Sequence, residues 1–207
     1  AEDRLAGLVP TPLLPESALV ALAHEPTAAR VAAHLVVLAY PGAVEIAELA
    51  SRAHPVLFEL ELALLRAFAA RLARASSSAD ANLRGVIAWK MDVTNAMTAL
   101  TIAAGARDVD APACFLPGGR ALGREGFVDA CAADSRLARG DRLARALGES
   151  PLVGIVREIA GDGGRLERHA SSALLAAQHR AARIEPLLSA PFVEFLLLVE
   201  AQSLDVR

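Results

Sequence analysis

The run from Ala79 to Ala104, ADANLRGVIAWKMDVTNAMTALTIAA, is followed at once by the glycine- and proline-rich GARDVDAPACFLPGGR, and together they leave this chain few ways to fold. Asp80 is placed to cap a helix. Leu83, Val86, Ile87, Val93, Met97 and Leu100 recur at three- and four-residue steps, and Gly105 can close the helix end. Asp92 and Asn95 lie three residues apart, hence on one side of that helix, among neighbours that are nearly all apolar. A polar pair in such surroundings needs hydrogen-bond partners. The helix is therefore expected inside an assembly of helices rather than on its rim.

Composition points the same way. Of the 207 residues 54% are apolar, enough for a substantial core, yet only 4% are aromatic, so alanine and leucine must fill it. Strand-forming runs of Val, Ile, Thr and Tyr are scarce, and the expected class is all-α. A net charge of −3 gives no basic surplus for holding nucleic acid. Cys114 and Cys131 are too few and too unpatterned for a disulfide scaffold or a zinc site, and fit a reducing cytosol. No signal peptide is recognisable at the start of the sequence. The strongly apolar stretches, such as Val193 to Val199, are far shorter than the roughly 20 residues needed to cross a bilayer. A soluble or peripheral protein is expected.

In chain order, residues 1–14 read as an irregular lead-in, and a short helix follows over 15–23 with Pro15 at a first-turn position. Thr27 can cap the next helix, which runs through Val31, Leu35 and Leu38 toward Tyr40. Pro41-Gly42 is a turn, residues 43–52 form a short helix, and His54-Pro55 ends it. Over 56–75 Leu57, Leu60, Leu64, Phe68 and Leu72 make one apolar stripe. After residue 105 the order of elements starts over. Leu116-Pro117 echoes Leu14-Pro15, SPLVGIVRE at 150–158 echoes YPGAVEIAE at 40–48, and Leu166-Glu167 echoes Leu60-Glu61. Residues 191–207 mirror the long central helix. The chain is thus expected to hold two similar helical modules, residues 1–105 and 106–207.

No motif of catalysis, cofactor binding or metal ligation stands out. The loop Phe115 to Arg120 lacks Walker spacing and the G-K-[ST] ending, so its glycines read as turn formers. The five histidines show no H-x-x-x-H or H-E-x-x-H spacing, and no G-x-S-x-G is present. Glu59 and Glu61 alternate on a helix and point apart. No enzyme activity, cofactor or metal is expected. A helical binding module with a small-molecule pocket between helices, around Trp89, stays open as an alternative.

The run DVTNAMTALTIAAGARDVDAPACFLPGGR resembles a signature of the C subunit of rotary V-type and A-type ATPases, called subunit d in the eukaryotic enzyme. There a D-x-x-N helix is followed by a short loop and F-x-x-G-G, and Asp92, Asn95, Phe115, Gly118 and Gly119 stand at those positions. HPVLFELELALLRAFAARL is similar to the family's E-L-x-L-D-R-A-Y-F-x-x-L helix, and PFVEFLLLVEAQSLDVR to its P-x-x-x-Y-L-x-x-K-E-x-E-x-x-N-L-R helix through Pro191, Phe195, Leu196, Glu200 and Arg207. Leu65, Val199, Gln202 and Asp205 depart from that pattern, and the family's final helices have no counterpart after Arg207, which implies a divergent or truncated member.

The resemblance implies a funnel-like, all-helical body of repeated modules that seats the central stalk on the membrane rotor ring during ATP-linked proton or sodium transport. It implies central-stalk subunits and the ring as partners, and a cytoplasmic place, peripheral to the membrane. It implies no chemistry of its own, no nucleic acid and no direct membrane insertion. Asp92, Asn95, Phe115, Gly118, Gly119, Glu200 and Arg207 are the structural or interaction candidates. The Asp92/Asn95 pair is expected to fix helix register through a polar network.

Overall fold

A proline-fixed backbone and one hydroxyl cap set the first helices. In the computed structural model, which describes residues 10–102, 110–160, 163–184 and then 189, 191, 193–195, 197 and 198, all the regular elements among the described residues are helices. The chain divides into two compact units that meet at Arg71 and Leu72.

In the first unit, Pro15 holds φ −63° ahead of α1 (Glu16–His24). The Thr27 side chain accepts the Arg30 N–H at 3.3 Å and starts α2 (Ala28–Val37). That helix stops before Tyr40 because its last carbonyls are captured: the Tyr40 N–H donates to Leu35 O (2.9 Å) and the Ala39 N–H to Val36 O (3.0 Å). This pairing is a Schellman motif and forces Ala39 to φ 51°, the one positive φ among described non-glycine residues. α3 (Ala43–Ala50) packs on α2, and α4 (Leu57–Ser76) follows. Their core is Ala32, Ile46, Ala50 and Ala63, with Ala47, Leu49 and Leu60 packed around it.

Only part of the apolar stripe read from the sequence is covered on α4, with Leu60 half-buried against that core. Ala63 and Ala69 are its buried residues, while Leu57, Leu64 and Phe68 are exposed. Periodicity marks apolar positions, but alanines let helices approach more closely and here decide which side is covered.

The second unit holds α5 (Ala81–Thr101), α6 (Ala111–Cys114), α7 (Arg124–Cys131), α8 (Arg136–Ala146), α9 (Leu152–Ile159) and α10 (Gly163–Ile184). Asp80 caps α5, its carboxylate accepting the Leu83 N–H at 2.8 Å. Asp92 and Asn95 are buried together with Val86, Ala88, Met91, Val93, Ala96, Ala99 and Leu100, so α5 is interior to its unit, packed against α7, α8 and α10. α8 packs between α7 and α9, and Phe127, Leu143, Leu152 and Val156 are fully buried. Each such side chain contributes about 1.5–3 kcal/mol by leaving water. The helices approach closely where Gly140 meets the residue after α9: a Cβ there would lie 2.5 Å from Ala160 Cβ. A second cluster joins Val86, Leu174, Val193 and Leu197, with Leu83, Trp89 and Leu175 around it.

The compact units part within α4, whereas the sequence echo divides the chain at residue 105. The helices nevertheless recur in order. α1, α2, α3 and α4 have 9, 10, 8 and 20 residues, and α7, α8, α9 and α10 have 8, 11, 8 and 22. Thr27 and Ser135 cap the second helix of each set by accepting an N–H three residues on. The residue after that helix's C-cap, Ala39 or Gly148, has positive φ in both.

Candidate functional site

Asp92 and Asn95 project from α5 onto the connection between α6 and α7. Asn95 is fully buried and bonds Leu116 twice. Its side-chain amide donates to Leu116 O at 2.8 Å, and the Leu116 N–H donates to Asn95 Oδ1 at 2.9 Å. Asp92, 3% exposed, accepts three backbone N–H groups: Arg120 (3.1 Å) and Ala121 (3.0 Å) on Oδ2, and Leu122 (3.0 Å) on Oδ1. The partners of both side chains are loop backbone, not a neighbouring helix. The pair therefore pins a connection to α5, where the sequence reading expects a network that fixes helix register.

The two glycines explain how the loop reaches the carboxylate. Gly118 takes φ +110°, which side chains resist. Gly119 lies so close to Asp92 that a Cβ would fall 2.9 Å from Asp92 Cγ. Phe115 secures the other end, its ring centroid 5.5 Å from that of the buried Phe127 at a tilt of 55°. Successive N–H groups converging on one point are the geometry of an anion-binding nest. Here the group at that point is the Asp92 carboxyl, so these donors are already engaged and do not cradle a phosphate.

Two further ties hold α5, and neither was read from the sequence. At its start, the Asn82 and Gln178 amides pair reciprocally (2.9 and 3.1 Å), Asn82 also donates to Ser189 Oγ (3.2 Å), and Ser189 donates to Asp80 (2.9 Å). The Leu83 N–H first, and the Ser189 hydroxyl next, hold the Asp80 carboxyl below its ordinary value of 3.8. At its other end Arg139, 3% exposed, donates through Nη1 to the carbonyls of Leu100 (3.4 Å) and Ile102, and through Nε to Ala133 O (3.3 Å). A buried guanidinium on the last carbonyls of a helix satisfies acceptors that have no partner within it and suits the helix dipole. Its signal was an arginine on the same helix side as Gly140, Leu143 and Ala144; Asn82 and Gln178, 96 positions apart, gave none.

Glu200 and Arg207 lie outside the described residues, so the structure brings together Asp92, Asn95, Phe115, Gly118 and Gly119. No three His, Cys, Asp or Glu side chains gather into a metal site among the described residues. Burial, and then Cys114 nearby, push the Cys131 thiol up to about 11 against a smaller opposing pull from Arg139, so at neutral pH it is a protonated thiol and a poor nucleophile. Trp89 is half-buried on the Val86, Leu174, Val193 and Leu197 cluster. No described helix is long and apolar enough to cross a membrane.

A family model described as ATP synthase (C/AC39) subunit matches residues 1–206. No curated protein matches the chain.

Proposed function

The chain belongs to the ATP synthase (C/AC39) subunit family, and from that premise we propose that it is a non-catalytic coupling subunit of a rotary V/A-type ATPase, seating the central stalk on the membrane rotor ring. The match along nearly the whole chain carries this reading. The physics of the site supports it. Polar groups of the signature segment are engaged in internal hydrogen bonds that tie a long helix to its connection, as a mechanical adaptor requires and a reaction centre does not. Close-packed helices have low compressibility and pass on strain. Its partners are then central-stalk subunits and the ring, and it meets the membrane through the ring from the cytoplasmic side.

We read the recurring helix lengths and caps as support for two similar modules, residues 1–105 and 106–207, within that adaptor.

Affinity capture of the tagged protein from native membranes, with subunits identified by mass spectrometry, tests the proposal. Central-stalk and ring subunits should come down together, and the purified chain alone should hydrolyse no ATP. Capture of neither group would overturn it.

A further inference from the structure

No further inference is drawn: the strongest candidate, the outward apolar side of helix α4 carrying Leu57, Leu64 and Phe68, carries nothing because nothing in the structure shows what covers it.

Discussion

At Asp92 one buried carboxyl accepts from three backbone N–H groups, and a buried donor left without its partner costs about 1–3 kcal/mol. Asp92→Ala strands those donors, the buried Leu122 N–H among them, and should cost about 3–5 kcal/mol, seen as a lower urea midpoint. Gly119→Ala acts through the same contact by driving a methyl group into the carboxylate. It should be costly in the wild-type chain and mild in the Asp92→Ala background, and plain additivity in that double-mutant cycle would show that the two residues do not act together. Asp80 makes a pH-dependent contribution. Its folded-state pKa is lowered, so its stabilisation is complete above the ordinary value of 3.8 and is lost as pH falls through the folded value. Melting temperature followed from about pH 5 to about pH 2 should fall less steeply in Asp80→Asn than in wild type.

Among the elements, α2 ends on a strained residue. An L-residue in the left-handed region costs roughly 1–2 kcal/mol, and the corresponding position after α8 is Gly148 with φ 60°. Ala39→Gly should therefore stabilise the protein by about 0.5–1 kcal/mol despite the greater entropy of an unfolded glycine, and a lower melting temperature would refute the assignment of that strain. Helix starts were legible because caps are local: Thr27 and Asp80 were read from the sequence and accept the expected N–H groups. The end of α2 was not, since Leu38 and Tyr40 continue an apolar pattern through a turn that only backbone carbonyls define. The covered side of α4 was not legible in its apolar stripe for the opposite reason. Leucine and phenylalanine dominate a periodicity count, whereas the covered contacts belong to Ala63 and Ala69. For Asp92 and Asn95 the sequence showed that partners were needed, but those partners are backbone groups 21 to 30 residues away, which no side-chain pattern announces.

On the scale of the whole chain, each unit closes a core of its own: alanines with Ile46 in the first, α5 with α7, α8 and α10 in the second. Crowding one core should loosen that unit before the other. Ala63→Leu overpacks a residue that is 1% exposed and should cost about 1–3 kcal/mol. Hydrogen exchange should then quicken across α2 and α3 while α5 and α8 keep their protection, and equal loss in both units would show a single cooperative core. The all-helical class followed from composition because alanine and leucine leave strands no residues to build on. The division at Arg71 did not, because it falls inside one unbroken helix.

Three bonds converging on one carboxylate are loaded side by side. A tug on residues 120–122 must therefore rupture them as a group, whereas a row of separate contacts would peel apart one at a time at lower force. The connection fastened by Asp92 should behave under shear as a rivet does, rigid up to a threshold and then abruptly released.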